Sequence, residues 1–290
     1  MPLEVLLRFA IGFKNRTRLS VLLSLVFFIA GCGTMPVFMD RASLADTIVH
    51  QAGFSKEYLK SGAFTLLTYQ RFNKHSDKIV IYIEGDGKAW ENRHQLSDDP
   101  TPSNPLALKL AALDFGRNIA YIARPGQFSQ SGFPDCEATY WSNRRYSSEV
   151  VESMDRAVNV LKEKSGTKSV ELIGYSGGGA IAVLIAARRN DLVSLRTVAG
   201  NLNTSLFCVY HHVSRLDGSL NPLDSAKKIA RIPQRHFIGL KDTVIPSSIA
   251  VSFVKMAGDQ NDERITMVDG VLHNDGWEKR WKSLLSTPLR

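Results

Sequence analysis

The stretch from Lys168 to Arg189 constrains the fold of this chain more than any other part of it. A short apolar run with β-branched residues leads into Gly174-Tyr175-Ser176-Gly177-Gly178, and an Ala/Ile/Leu-rich segment without proline follows. This order predicts a strand, a sharp turn and a helix. Side chains two residues either side of Ser176 would collide in so tight a turn, which explains the glycines at 174 and 178.

The predicted turn would hold Ser176 at its tip, against the N-terminus of the following helix. Free N–H groups at a helix N-terminus stabilise negative charge that forms beside the serine, as acyl transfer requires. A five-residue glycine and serine pattern also recurs by chance, so an ordinary glycine-rich turn is the alternative. Residues further along the chain decide between the two interpretations.

The N-terminal region has the pattern of a secretory signal. Four basic residues and one acidic residue precede Leu19–Gly31, which carries no charge and is too short to span a bilayer as a helix. Its end, Ile29-Ala30-Gly31-Cys32, resembles the lipobox of bacterial lipoproteins, which implies cleavage before Cys32 and lipidation of that cysteine. Because Gly33 is not the aspartate that retains lipoproteins in the inner membrane, an outer-membrane anchor facing the periplasm is expected. A plain secretory signal or an uncleaved anchor remains the alternative.

These observations predict three parts: a signal peptide (residues 1–31), an anchor linker with an amphipathic helix or helix pair (32–60) and one α/β domain (61–290). The first 31 residues hold four of the 36 Lys and Arg and one of the 28 Asp and Glu, so the net charge falls from +8 to +5 without them. The remaining basic residues are scattered, which argues against nucleic-acid binding. A membrane contact through Cys32 is the expected partner.

Within the domain, apolar strands alternate with helical patterns, which is typical of a mostly parallel sheet. Strands are predicted at 79–83, 118–123, 170–173, 195–199, 235–240 and 264–268, with a β-hairpin arm at 64–72. Two long irregular segments, 124–146 and 200–224, are expected to lie over the site and shape its pocket. The strand at 79–83 ends in Glu84-Gly85-Asp86-Gly87, a glycine-bearing turn.

Three side chains follow predicted strands in a specific order, Ser176, Asp242 and His273. With Gly239-x-x-Asp242-x-x-Ile245-Pro246 as the acid loop, this order resembles that of the α/β-hydrolase fold serine hydrolases. The resemblance extends from about Phe64 to the C-terminus. It implies a mostly parallel central sheet with helices on both faces.

The resemblance also implies roles. His273 would accept the proton of Ser176, Asp242 would fix the imidazole tautomer, and the N–H groups of Gly177 and Asp86 would stabilise the oxyanion. An acyl-enzyme would follow, without metal or organic cofactor, from a small-molecule or lipid-like acyl substrate. The family often has His-Gly where this chain has Glu84-Gly85, so the role of Asp86 rests on its backbone.

Two other functions fit the same fold. One is a non-catalytic binding or envelope-assembly lipoprotein, because fold does not imply activity. The other is a hydrolase of peptides or other acyl bonds. A reactive Ser176 would exclude the non-catalytic lipoprotein. Substrate profiling would distinguish a hydrolase of peptides or other acyl bonds from an esterase.

The remaining cysteines and histidines yield smaller predictions. Cys136 and Cys208 lie in the two long segments, and an even pair in an oxidising compartment predicts a disulfide, with two separate buried thiols as the alternative. The adjacent His211 and His212 point to different sides and are poorly placed as metal ligands. His236 alternates within a strand and is expected in the core.

Overall fold

Eight strands form one sheet in the part of the chain that the computed structural model describes, residues 40–73, 76–116, 118–131 and 134–290. The predicted signal peptide and Cys32 lie outside these residues. The strands are Ser55–Ser61 (β1), Phe64–Phe72 (β2), Lys78–Ile83 (β3), Asn118–Ile122 (β6), Ser169–Tyr175 (β7), Leu192–Val198 (β8), Gln234–Gly239 (β9) and Ile265–Val268 (β10), and a separate two-stranded hairpin consists of Trp90–Asn92 (β4) and Gln95–Leu96 (β5).

Helices connect most of the strands. The α-helices are Arg41–Gln51 (α1), Leu106–Ala112 (α2), Ser148–Ser165 (α3), Gly177–Ala186 (α4), Thr204–His211 (α5), Ser247–Met256 (α6) and Trp277–Leu285 (α7), and short 3₁₀ helices span Ala138–Trp141 and Pro222–Ser225. Among the described residues, no helix is both long and apolar enough to cross a membrane. All residues from Arg41 to Arg290 belong to one unit.

The strand order confirms the predicted mostly parallel sheet. Across the sheet the strands run β1-β2-β6-β3-β7-β8-β9-β10. β1 and β2 form an antiparallel hairpin and β2 joins β6 antiparallel, whereas every pairing from β6 through β10 is parallel. Together with the helices on both faces, this is the α/β-hydrolase fold that the sequence predicted.

The core has two layers, one on each face of the sheet. Alternate residues of β3 divide between them: Ile79, Ile81 and Ile83 pack with helices α3, α4 and α6, while Val80 and Tyr82 pack with α1, α2 and α7. Successive side chains of a strand point to opposite faces, so a strand covered on both sides must be apolar throughout. This confirms the prediction that the strand at 79–83 is buried on both faces.

Two elements differ from the sequence prediction. The span 32–60 contains helix α1, but its last residues form β1, whose seven residues all pair with β2. Ser55–Ser61 is mostly polar because it is an edge strand with one buried side. From the sequence alone, such a segment is difficult to distinguish from an amphipathic helix. The second difference is α5, which lies in the segment 200–224 predicted as irregular; the side chain of Asn203 accepts a hydrogen bond from the N–H of Leu206 and caps it.

The predicted disulfide between Cys136 and Cys208 is wrong in this structure, where both are free thiols. Cys208 is buried on α5. Cys136 is half-buried and packs against the core on the α3 side. Even cysteine numbers indicate that a bond is chemically possible, but only the packing of the two segments decides whether the sulfur atoms meet.

Candidate active site

The predicted site residues collect at one edge of the sheet. Parallel strands direct their carboxyl ends to the same side, and the segments after β3, β7, β8, β9 and β10 meet there. They carry Glu84–Gly87, Ser176, Asn201, Asp242 and His273. The hydrogen-bonded Ser176 and His273 lie 97 residues apart in sequence, so the tertiary fold assembles this edge.

Ser176 lies in a strained turn between β7 and α4. Its backbone has φ 51° and ψ −119°, a conformation that L-residues rarely adopt and that persists only where the surroundings enforce it. A Cβ on Gly174 would lie 2.2 Å from the carbonyl oxygen of Gly178, and one on Gly178 would lie 2.2 Å from that of Ile83. Both glycines are therefore sterically required, Gly174 by the turn itself, as predicted, and Gly178 by the neighbouring strand β3.

Three predicted side chains form a hydrogen-bonded series. The Nε2 atom of His273 lies 3.1 Å from Oγ of Ser176, and its Nδ1 lies 2.8 Å from Oδ2 of Asp242. The other carboxylate oxygen of Asp242 accepts the N–H groups of Val244 and Ile245 at 2.8 and 2.9 Å. The acid loop thereby fixes the carboxylate, and the carboxylate orients the imidazole toward the serine.

The loop that carries His273 is held from two sides. The hydroxyl of Tyr175 donates to the carbonyl oxygen of His273 at 3.3 Å, and Nε1 of Trp277 donates to the same oxygen at 3.0 Å. The rings of Tyr175 and His273 also pack with centroids 5.3 Å apart. Because Tyr175 precedes Ser176 directly, the serine and the histidine share one support.

The turn after β3 lies against the turn after β7. A Cβ on Gly85 would lie 3.2 Å from Cβ of Ser176, and one on Gly177 would lie 2.0 Å from Oδ1 of Asp86. An added Cβ at Gly177 would collide with Asp86, and one at Gly85 would press closely on Tyr175 and Ser176. This close approach brings the turn that contains Gly85 and Asp86 into contact with Ser176 and with Gly177 at the start of α4.

The Asp86 carboxylate, which lies against Gly177, belongs to a buried charged cluster. It accepts from Nη1 of Arg145 at 2.9 Å, from Nη1 of Arg124 at 3.2 Å and from the hydroxyl of Tyr146 at 2.8 Å. Burial by itself would raise the pKa of Asp86, but Arg145 and Arg124 outweigh it and lower that pKa. The carboxylate therefore stays ionised, and the two guanidinium groups offset its negative charge near the turn.

Glu84, the second acidic residue of this turn, is buried and bound on both oxygens. Oε1 accepts the N–H groups of Gly85 at 3.0 Å and Ala107 at 3.3 Å, while the hydroxyl of Tyr121 donates to Oε2 at 3.1 Å. Burial raises the pKa of Glu84 to about 7. This carboxyl joins the end of β3 to the start of α2 and to β6.

A cavity of about 440 Å³ opens beside the serine. It draws residues from both long segments that were predicted to shape a pocket and from the acid and histidine loops. Its lining residues are Glu84, Asp86, Gly87, Lys88, Ala89, Trp90, Pro102, Ser103, Asn104, Arg145, Tyr175, Ser176, Asn201, Phe207, Val244, Ile245, His273 and Asn274.

Sequence reasoning missed Arg124, Arg145 and Tyr146, which surround Asp86. Arg124 comes two residues after the apolar strand β6, and a charged residue near a strand's carboxyl end was the one signal that could have indicated it. Of the other histidines, His236 is fully buried as predicted, and Nε2 of His211 donates to the carbonyl oxygen of Val244 at 2.7 Å. No group of three or more potential metal ligands occurs among the described residues.

Comparisons with known proteins also indicate a serine hydrolase. A family model described as "Serine hydrolase (FSH1)" matches residues 120–270, just over half of the 290 residues. A search of curated proteins found no match.

Among solved structures, the Pyrococcus furiosus esterase Pf2001 is similar over 81% of this chain and 92% of its own, with 14% identity and a TM-score of 0.56. Est1E from Butyrivibrio proteoclasticus is similar over 79% and 97%, with 13% identity and a TM-score of 0.54. An alpha-beta serine hydrolase homologue from Coxiella burnetii is similar over 79% and 93%, with 15% identity and a TM-score of 0.51. At these identities the likeness establishes the fold.

Proposed function

The chain belongs to the serine hydrolase (FSH1) family, and from this premise we propose that it hydrolyses carboxylic esters through Ser176, His273 and Asp242. The observation that carries the proposal is the hydrogen-bonded series at the strand ends, with Nε2 of His273 at 3.1 Å from Oγ of Ser176. A serine hydroxyl is a weak nucleophile unless a positioned base removes its proton. The series supplies that base and holds its orientation.

The reaction begins when Oγ of Ser176 attacks the ester carbonyl while Nε2 of His273 takes its proton. Asp242 keeps the proton on Nδ1 and stabilises the imidazolium that forms. His273 then protonates the departing alkoxide, leaving an acyl-enzyme, and water attacks that ester with His273 again as the base. Activity requires a neutral imidazole, so it should fall as the solution becomes acidic.

The tetrahedral intermediate carries a negative oxygen, and two backbone N–H groups support it in this proposal. One belongs to Gly177 at the start of α4, and the other to Asp86 in the turn after β3. The close approach of these two turns, 2.0 Å between an added Cβ on Gly177 and Oδ1 of Asp86, supports their pairing. Fixed donors of this kind typically contribute about 10²- to 10³-fold each to the rate.

The test combines labelling with kinetics on the purified full chain. Ser176→Ala should abolish labelling by a fluorophosphonate probe and nearly all hydrolysis of a panel of acyl esters. Asp242→Asn should lower kcat by up to about 10⁴-fold, and His273→Ala should lose roughly as much as the serine variant. Ser283→Ala, at an exposed serine on α7, is the matched control.

A wild-type protein that resists the probe and hydrolyses no ester would contradict the proposal and favour a non-catalytic binding protein. Peptide and amide substrates in the same panel test the remaining alternative, an acyl hydrolase that prefers other bonds.

The location of the protein is the second part of the proposal. The lipobox-like Ile29–Cys32 supports a mature protein that begins at a lipidated Cys32 and is anchored in the outer membrane, facing the periplasm. Stable anchoring takes more than one acyl chain, so the proposal includes several chains on Cys32. Mass spectrometry of the N-terminal peptide from membrane fractions tests this. An intact Met1 or an unmodified Cys32 would overturn it.

A further inference from the structure

The cluster around Asp86 contains more positive than negative charge. Its two guanidinium groups and one carboxylate are nearly enclosed, with side-chain exposures of 4% for Arg124, 11% for Arg145 and 19% for Asp86. Arg124 also donates to the carbonyl oxygen of Arg145 and lies over the ring of Tyr146. One positive charge in this cluster therefore has no negative partner within it.

Two members of the cluster, Asp86 and Arg145, line the cavity, and of these Arg145 carries the positive charge. Its Nε donates to the carbonyl oxygen of Ser142 at 2.6 Å and its Nη1 donates to Asp86, so the guanidinium plane is fixed. Within the described residues its Nη2 has no hydrogen-bond partner, and Arg145 lines the same cavity as Ser176. A fixed guanidinium edge with a free donor is suited to bind an oxygen of a carboxylate.

Among the described residues, no charged group other than Asp86 forms an ion pair with Arg145. Glu84 is held by backbone N–H groups and by the hydroxyl of Tyr121. Lys88 forms its ion pair with Glu91 at 2.6 Å, with both side chains more than one-third exposed. Asp242 bonds to His273. Because a buried charge without a counter-ion is unfavourable, a negative group bound in the cavity would gain the interaction that the cluster leaves open.

We propose that the enzyme prefers esters that carry a carboxylate, and that Arg145 binds this carboxylate. The proposal rests on the ester hydrolysis proposed above and adds the substrate class. A guanidinium group at this position would recognise half-esters of dicarboxylic acids, with the carboxylate on the acyl side, or esters of hydroxy acids, with the carboxylate on the alcohol side.

The same cluster also lies beneath the turn that carries the N–H of Asp86, so its charge could act on the transient oxyanion alone. That effect would raise kcat for every ester alike. A carboxylate on the substrate is charged before, during and after the reaction, so its recognition changes the ratio between charged and neutral esters and acts mainly through KM.

The experiment measures kcat/KM for two matched pairs of esters by alkali titration. Monomethyl adipate is compared with methyl hexanoate, and 4-acetoxybutanoate with butyl acetate, so that in each pair a carboxylate replaces a methyl group. The wild-type enzyme should favour the charged ester by about tenfold or more in at least one pair, as expected for a charge-assisted hydrogen bond in a partly buried site.

Variants assign the preference to Arg145. Arg145→Gln should reduce the charged-to-neutral ratio about tenfold or more, chiefly by raising KM for the charged ester, and Arg145→Lys should retain part of it. The matched control is Arg144→Gln, because Arg144 pairs with Glu149 at 3.1 Å outside the cavity lining. Asp86→Asn, which adds to the positive charge, should raise the ratio and so tests the idea independently if Arg145→Gln folds poorly.

A wild-type enzyme that labels at Ser176 and hydrolyses the neutral ester of both pairs equally well or better would overturn this inference while leaving the proposed function intact. Equal losses for charged and neutral esters in Arg145→Gln would likewise overturn it, since the cluster would then act on the oxyanion. Absence of all labelling and hydrolysis would overturn the proposed function and this inference with it.

Discussion

Residues in the turn after β7 are constrained both by their backbone conformation and by close steric contacts. Ser176 has a positive φ of 51° although it is not glycine, and glycines stand at positions 174, 177 and 178 beside it. Gly177 permits the Asp86 carboxylate to lie against α4, where Arg124 and Arg145 hold it. The positions of the serine and of the charged cluster therefore both depend on the absence of a Cβ at Gly177.

Gly177→Ala should inactivate the enzyme and destabilise it. The added methyl would lie 2.0 Å from Oδ1 of Asp86, and the two ion pairs prevent that carboxylate from moving at low cost. We expect at least about a 10²-fold loss of kcat, in line with a displaced oxyanion donor, and a loss of about 1–3 kcal/mol in the free energy of unfolding. Ester kinetics and denaturant titration measure the two effects.

Gly166→Ala is the control for this variant. Gly166 has φ +68° at the end of α3 with nothing within 4 Å of an added Cβ, so the change should cost about 1–2 kcal/mol through backbone strain alone and leave kcat unchanged. Full activity in Gly177→Ala would show that the cluster around Asp86 does not constrain the turn.

His236 should make stability depend on pH. Burial, together with Arg264 and Arg235, lowers the pKa of His236 from 6.5 to about 3. Between pH 6.5 and 3 the unfolded chain binds a proton that the folded chain does not, so the free energy of unfolding should fall as pH falls, by about 1.4 kcal/mol per pH unit. Denaturant titrations of wild type and His236→Gln across pH 4–7 test this; equal slopes would contradict it.

At the scale of elements, the long segments between strands build the cavity wall. Helix α5 contributes Phe207 to the cavity and connects to the acid loop through the hydrogen bond from His211 to the carbonyl of Val244 at 2.7 Å. The segment that ends at Tyr146 contributes Arg145. Each segment is anchored by its own hydrogen bonds and packing, and no covalent link joins Cys136 to Cys208.

The two cysteines should therefore react as separate, slow thiols. Burial, helped by Asp135 and Glu137, raises the pKa of Cys136 to about 12, and burial also raises the pKa of Cys208. The thiolate is the reactive form, so alkylation should be slow in the native protein and complete at both residues after denaturation without reductant. Peptide mass spectrometry reports the result, and a Cys136–Cys208 cross-linked peptide would contradict it.

At the scale of the whole molecule, the site depends on both core layers. Its residues follow the ends of strands, and the two layers pack on opposite faces of those strands. Helix α7 closes one layer directly after the His273 loop. Its Trp281 is fully buried, donates from Nε1 to the hydroxyl of Tyr82 at 3.2 Å and packs edge-on against Tyr82 and Phe237. Loss of this helix would release the loop that carries the imidazole.

Trp281→Ala should destabilise the whole protein by about 3–5 kcal/mol, the usual cost of removing a fully buried large aromatic side chain. Activity and far-UV circular dichroism should then be lost at the same, lower denaturant concentration, because the site and the core unfold together. Lys282→Ala, at the exposed neighbouring position, should change stability by less than about 0.5 kcal/mol. Activity that outlasts the dichroism signal in Trp281→Ala would contradict this coupling.

The sequence by itself determined the strand-turn-helix at Ser176, the parallel sheet, and the order Ser176, Asp242 and His273, because local sterics and apolar periodicity specify these features within short windows. It did not determine β1 or α5. β1 is stabilised by its pairing with β2, and α5 is a short helix of weak helix formers, so tertiary contacts decide both.

Only the tertiary structure decided the surroundings of Asp86. Arg124 and Arg145 lie 38 and 59 residues away in sequence, and nothing local indicates that they approach the turn after β3. The same holds for the free thiols of Cys136 and Cys208, since the packing of distant segments sets the distance between their sulfur atoms. Short-range patterns report backbone preferences, whereas ion pairs and cavities form between segments that only the folded chain brings together.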